Sequence, residues 1–402
     1  MADRFPGGVI SKTPPTVVAP VDGEGGSASG VWTLDEVLGY QKAGAWPKGL
    51  LPRELYAWGS NSYGQCGDGT VINKSSPVQI GLLTNWSQVS ASRGATATTT
   101  TGELYAWGSN NNGQLGQNNT IYRSSPVQVG ALTNWSQVEG GNNHTVSVKT
   151  DGTLWAWGYG GAGRLGDGTV VSKSSPVQIG ALTDWAQVSA GSSHTIATTT
   201  TGELYAWGDN SSGQCGDGTA VNKSSPVQIG ALTTWSQVSA GQAFCASVKT
   251  DGTLWTWGYG GFGRLGDGTI VNKSSPVQIG SLTNWSQVSA GGDHTASVKT
   301  NGTLFTWGTN GDGRLGDGTV VSKSSPVQIG ALTNWSQVSA GSSHTIATTT
   351  TGELYAWGDN SPNGQLGDGT VVDKSSPVQI GALTTWTNAS AGIDHTAATT
   401  KG

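Results

Sequence analysis

The chain has 402 residues, of which 11% are charged, with a formal net charge of −5 and 18 tryptophans. Ordinary globular domains carry roughly 25% charged residues, so Ser, Thr, Asn and Gly must supply most of the polar surface. A charge-poor, acidic chain lacks the clustered cations that release counterions from a phosphate backbone, which argues against nucleic acid as a partner.

The chain opens on Met1-Ala-Asp-Arg-Phe-Pro-Gly-Gly, with no apolar core of a signal peptide, and no later run approaches the ~20 apolar residues of a membrane helix. Neither a secretory leader nor membrane insertion is expected. Residues 1–30 are rich in Pro and Gly and read as an extended arm. Thr33 and Glu36 have the form of a capping box, so a short helix is expected over residues 34–43, with Gly44 as its stop and Pro47 beyond. Leu34, Val37 and Leu38 would share one face, flanked by Trp32 and Trp46. A helix that short is marginal alone. Residues 1–50 should therefore dock, on the repeat body or on another protein, and these five residues are candidate partner contacts.

From residue 51 a single unit takes over. A tryptophan followed by Gly recurs at Trp58, Trp107, Trp157, Trp207, Trp257, Trp307 and Trp357; the first step is 49 residues and every later one is 50. A second tryptophan keeps the register at Trp86, Trp135, Trp185, Trp235, Trp285, Trp335 and Trp386. Periods of this length signal propellers, solenoids or arrays. Within a unit, four short runs bounded by Gly, Asp and Asn read as strands. Leu204-Tyr205-Ala206-Trp207 is apolar on both faces and belongs in a sheet covered on both sides. Ser-Ser-Pro-Val-Gln carries Pro in every unit (Pro77, Pro126, Pro176, Pro226, Pro276, Pro326, Pro377), which places it at a sheet edge because proline cannot donate to a ladder. The expectation is an all-β fold, a seven-bladed β-propeller of four-stranded blades over residues 51–402. One blade should combine strands near residues 54–80 with strands near 386–401, closing the ring.

Candidate chemistry is thin. The five histidines, His144, His194, His294, His344 and His395, share one slot of the unit, which Gly94 and Phe244 fill elsewhere. Equivalent positions on a ring do not converge on one metal ion, so buried hydrogen bonding is the better expectation. Each Gly-Asp-Gly-Thr loop offers one Asp, too few oxygens for calcium. Lys74, Arg123, Lys173, Lys223, Lys273, Lys323 and Lys374 form a cationic ring at the outer strand, the position where charge discourages edge pairing. Cys66, Cys215 and Cys245 sit in slots that hold Leu or Thr elsewhere and read as core. No cofactor, no metal and no enzymatic activity are expected. Residues 189–210 and 339–360 are identical, as expected of copying within the chain. The variable loops after Trp-Gly carry Tyr63, Tyr159, Tyr259 and Phe262, aromatics of the kind found on recognition surfaces.

Two resemblances add to this reading. Leu204-Tyr-Ala-Trp-Gly208, Gly213-Gln-Cys-Gly216, Ser225-Pro226 and the Ala190-Gly191/His194 pattern resemble the regulator of chromosome condensation repeat family. That implies a propeller, and since one fold hosts many activities it implies little about function. Members that catalyse nucleotide exchange act through an inserted wedge, for which units of 49 to 51 residues leave no room. Ultraviolet-sensing members carry a tryptophan beside the Gly-x-x-His stretch, which here reads Gly191-Ser-Ser-His. The second resemblance joins residues 5–15, Gly30-Val-Trp-Thr-Leu34 and Ala43-Gly-Ala-Trp-Pro47 to the leader of tailed-phage virion proteins, marine and cyanobacterial phages in particular. It implies a virion structural protein at the particle surface, as a tail-fibre-like appendage or on the head. It would be anchored to other virion proteins through residues 1–50, and would present the propeller to a sibling subunit in a homo-oligomer, a host-surface protein or a glycan. The alternative is a cellular protein-interaction or regulatory propeller.

Overall fold

Side-chain alternation decides where each strand sits. Leu55-Tyr56-Ala57-Trp58 is apolar on both faces and needs cover on two sides, whereas Ser75-Ser76-Pro77-Val78 tolerates water. In a computed structural model, which describes residues 53–401, 28 strands form seven four-stranded antiparallel sheets. The helix expected over residues 34–43 and the candidates Trp32, Leu34, Val37, Leu38 and Trp46 lie outside the described residues.

The chain enters on β1 (Leu55–Gly59) and β2 (Lys74–Gln79), the two outer strands of a blade. It then lays down complete blades, the first from β3 (Trp86–Ala91) at the axis through β4 (Gly94–Thr99) and β5 (Leu104–Gly108) to β6 (Arg123–Gln128) at the rim. The last strands, β27 (Trp386–Ala391) and β28 (His395–Thr400), return to the start. There β28 pairs with β1 (Trp58 opposite Thr396), giving the order β2-β1-β28-β27. The ring closes as its sequence requires, with strands from both ends in one blade.

The proline-bearing strand is the outer edge of every sheet. Its ladder to β1 shifts between Ala57 and Gly59, which pair with Val78 and Lys74, so Ser75 to Pro77 bulge opposite Trp58 and no ladder bond is asked of the proline. The second strand, exemplified by β4, is buried along its whole length in all seven blades.

Blades stack through unlike faces. On one face of a blade, Trp185 packs edge-on against Tyr205 and Trp207, with centroids 5.1 and 6.2 Å away. These rings lie on Leu154, Ala156 and Val146 of the preceding blade. On the other face Leu204 and Ala206 receive Trp235 and Trp257 of the next. The seven Trp-Gly tryptophans are all fully buried. Burying 150–250 Å² of indole contributes ~4–6 kcal/mol gross each, which supports so Gly-rich a chain.

Candidate functional site

Strand direction sorts the loops. Those joining third to fourth strands, such as residues 60–73, emerge on one face of the ring, beside the short turns at 92–93; residues 80–85 and their equivalents emerge on the other. The first of these, the loop face, carries the sequence variation.

An asparagine cage shapes five of the seven loops. The Asn61 side-chain amide donates to the Asp68 carboxylate (3.0 Å) and to the carbonyls of Thr70 and Ile72 (both 3.1 Å), while its oxygen accepts the Cys66 amide at 2.9 Å. Asn210, Asn310 and Asn360 repeat the arrangement. Gly67, at φ +76°, lies under the indole of Trp107, whose N–H donates to the Gln65 carbonyl at 3.0 Å. A Cβ at Gly67 would sit 2.6 Å from that nitrogen. The glycine is required by contact as well as by backbone angle.

Where Gly160 and Gly260 replace the asparagine, the loop winds into a single 3₁₀ turn at Gly161–Gly163 and at Gly261–Gly263. There the Tyr159 ring lies 4.8 Å from the Arg164 guanidinium and Tyr259 lies 4.6 Å from Arg264. These two tyrosines are therefore partly structural. Each arginine also reaches inward to a turn carbonyl, Ser192 at 2.7 Å and Gly292 at 3.1 Å. Tyr63 meets Tyr122 of the next blade edge-on at 5.4 Å. Phe262 is 60% exposed and held at φ +60°, which an aromatic residue rarely adopts. All four predicted aromatics occupy the loop face, but on three non-adjacent blades, so they do not form one cluster.

The larger apolar feature escaped the sequence reading. After each Gly-Asp-Gly-Thr turn two residues point outward: Val71 and Ile72, Val170 and Val171, Ile270 and Val271, Val320 and Val321, Val371 and Val372, all exposed, with Ile121 and Val221 in the remaining units. The signal was present, because an aliphatic pair repeated in a turn cannot serve a core.

The inner strands line an axial channel. Toward the loop face it opens into a cavity of about 280 Å³ walled mostly by Gly, Ala and Ser, with Arg93, Asn142, Gln242 and Ile393, and deeper lies one of about 270 Å³ walled by Gln, Val and Ser. Five blades place Ser in the deeper wall, a sixth carries Ser90 in the same slot, and the seventh places Glu139 in the wall, which the sequence reading passed over. Enclosure by protein on the channel wall pushes its carboxyl up to about 7, against the pull of a hydrogen bond from Ser90 at 3.1 Å.

The RCC1-like domain model matches residues 171–402, and two models of the regulator of chromosome condensation repeat match residues 54–98 with 101–148 and residues 86–114 with 135–164. The chain belongs to the RCC1-like domain family. Among solved structures, human WBSCR16 is 23% identical with a TM-score of 0.79, covering 87% of this chain and 99% of its own. Yeast RCC1 (Prp20), solved bound to Kap60, is 18% identical with a TM-score of 0.76, covering 88% and 90%. Prp20p from Saccharomyces cerevisiae, whose structure was reported with its binding to Gsp1p and histones, is 19% identical with a TM-score of 0.75, covering 88% and 93%. At these identities the likeness shows the fold. No curated protein matches the chain in sequence.

Within this RCC1-like ring the remaining candidates have structural work. His144, His294 and His344 bond the Thr195, Thr345 and Thr396 hydroxyls of the next blade through Nε2, at 3.0, 2.7 and 3.0 Å. His194 meets Cys245 Sγ at 3.1 Å, and that thiol donates to the Gln214 carbonyl as Thr does in other blades. Burial lowers all five imidazoles, to about 4 at His194 and His395 and about 3 at His344. Burial also pushes the Cys66 and Cys215 thiols up to about 12. The six ring lysines do more than guard an edge. Each pairs with the Asp of its own turn, at 2.8 to 3.5 Å, as Lys74 does with Asp68. Among the described residues no His, Cys, Asp and Glu group is arranged to hold a metal ion, and no helix is long and apolar enough to cross a membrane.

Proposed function

We propose that this RCC1-like propeller is a non-enzymatic interaction module that engages a protein partner through its loop face. The observation that carries the reading is the ring of exposed aliphatic pairs, joined on one blade by Phe262 in a strained conformation. Large apolar side chains exposed at the same place on every blade favour an interaction surface. Asparagine cages hold five of the loops and the Arg164 and Arg264 contacts hold the other two, and order present before binding lowers the entropy cost of association. The reported binding of yeast Prp20p to Gsp1p and histones, and of yeast RCC1 to Kap60, is consistent with binding as the work of this fold. The imidazoles and thiols, the groups best suited to nucleophilic or acid–base chemistry, are buried in the ring.

A second reading concerns where the module works. The leader Gly30-Val-Trp-Thr-Leu34 favours a phage virion appendage, anchored through residues 1–50 and displaying the loop face to a sibling subunit, a host-surface protein or a glycan. Deleting residues 1–50 separates placement from recognition. Virion anchoring requires the full chain in particles and the deletion absent from them. Incorporation of the deletion, or no particle containing the full chain, defeats that reading. Changing Val170, Val171, Ile270 and Val271 to Ser tests the loop face, and must abolish partner binding with the melting temperature unchanged.

A further inference from the structure

Two equivalent grooves lie on the outer flank of the ring at seams between blades, and they differ in charge. In six units the turn aspartate and ring lysine neutralise each other. In the second unit the aspartate is Gln117 and the lysine is Arg123. The Gln117 oxygen accepts the Arg123 Nε–H at 3.0 Å, while its amide donates to the carbonyls of Ala106 (3.3 Å) and Val127 (3.4 Å). Arg123 is thereby oriented but not neutralised, and its two terminal nitrogens have no partner among the described residues.

The groove beside Arg123 encloses about 580 Å³ against an apolar wall of Trp135, Trp155, Leu132, Val127 and Pro176. A cleft of several hundred Å³ with an apolar wall and a few polar groups, here Arg123, Gln117, Asn119 and Gln128, has the usual composition of a small-molecule site. A similar groove two blades on, about 550 Å³ with Trp235, Trp255 and Leu232, has Asp217 at the equivalent place, bound to Lys223 at 2.8 Å; Lys249 stands over its rings as Lys149 stands over Trp135 and Trp155, so that cation is common to both. Size and shape are matched; charge is not.

We infer that the Arg123 groove binds a small aryl or alkyl carboxylate. The free edge of the guanidinium offers two parallel N–H groups to the carboxylate, the bidentate geometry that distinguishes Arg from Lys. The apolar body of the ligand lies along Trp135, Trp155 and Leu132. In the Asp217 groove the same ligand finds an Asp217–Lys223 pair in place of the free guanidinium edge.

Calorimetric titration of the full chain with 4-phenylbutyrate tests this, with neutral 4-phenylbutyramide as control. The expected result is one site per chain, with the amide at least about tenfold weaker, the loss of one charge-assisted contact. The double variant Gln117→Asp/Arg123→Lys rebuilds the pair found in six other units, so it should fold, and should bind the acid at least about tenfold more weakly. Asp217→Gln/Lys223→Arg should create a second site. Equal binding of acid and amide, unchanged binding by the Gln117→Asp/Arg123→Lys variant, or no binding at millimolar concentration overturns the proposal. So does binding of a peptide C-terminus, probed with acetyl-Ala-Ala-Phe, where phenylbutyrate fails.

Discussion

Glu139 Oε2 accepts the hydroxyl of Ser90 at 3.1 Å across the seam between two blades. At six seams an inner-strand serine accepts a backbone amide of the next blade: Ser90 from Gly140, Ser189 from Ala240, Ser239 from Ala290, Ser289 from Ala340, Ser339 from Ala391 and Ser390 from Ala91. At the seventh, between Glu139 and Ala190, no such bond forms. The serine belt around the channel has one gap, and a carboxyl group stands in it.

That gap predicts a pH dependence of known sign. Burial holds Glu139 at about 7 in the folded chain, above the ordinary carboxylate range. The folded state keeps a proton that the unfolded state releases between about pH 4.5 and 7, so stability falls as pH rises through that window and is level above it. Glu139→Gln should raise stability at pH 8 by on the order of 1–3 kcal/mol and have little effect at pH 4.5. Melting temperatures of both proteins at the two pH values check this.

The histidines run the other way. Their folded values are depressed by burial, so their contribution is complete above about pH 6.5 and is lost as pH falls toward 4. Acid unfolding should begin below pH 6 with several protons taken up. His395 Nε2 lacks a partner because Ala95 stands where five blades carry Thr and one carries Cys245. Ala95→Thr should add that bond and stabilise by roughly 0.5–1.5 kcal/mol at pH 7.5, read from denaturant unfolding.

Two glycines separate backbone angle from contact. Gly81 is at φ +64° with nothing within 4 Å of a Cβ, so Gly81→Ala should cost only about 1 kcal/mol. Gly67→Ala must also displace the Trp107 indole, and should cost at least about 2 kcal/mol more by the same unfolding measurement.

The units come in two chemistries. Lys149 lies 3.8 Å over Trp155, Lys249 lies 3.8 Å over Trp255 and Lys299 lies 3.9 Å over Phe305. The other units pair Tyr with Thr, as Tyr205 with Thr199. Lys149→Thr and Trp155→Tyr should each destabilise, while the double variant should cost less than their sum by about 0.5–1.5 kcal/mol, the coupling read from a double-mutant cycle.

The sequence revealed what recurs. Seven tryptophan pairs, a proline in each outer strand and matching half-blades at residues 54–80 and 386–401 were enough for the closed ring, because repetition lets one weak local pattern be read seven times. It hid what occurs once. Glu139 differs from its counterparts by a single residue in Trp-Ser-Gln-Val-Ser, and only the fold shows that this slot faces the channel. Gln117 and Arg123 look like ordinary drift until the six neighbouring ion pairs are seen. The exposed Val and Ile pairs recur as well, and their signal is easily missed because apolar residues beside a turn resemble a strand start.

Site-specific photo-crosslinking tests recognition by the loop face most directly. A photoreactive residue is placed at Val171 or Phe262 on the loop face, or at Leu182 or Leu282 on the opposite face, all of them exposed. Adducts to one and the same protein from the first pair alone, lost when Val170, Ile270 and Val271 are changed to Ser, are the predicted result. Adducts from the Leu182 and Leu282 positions, with none from Val171 or Phe262, would contradict the account.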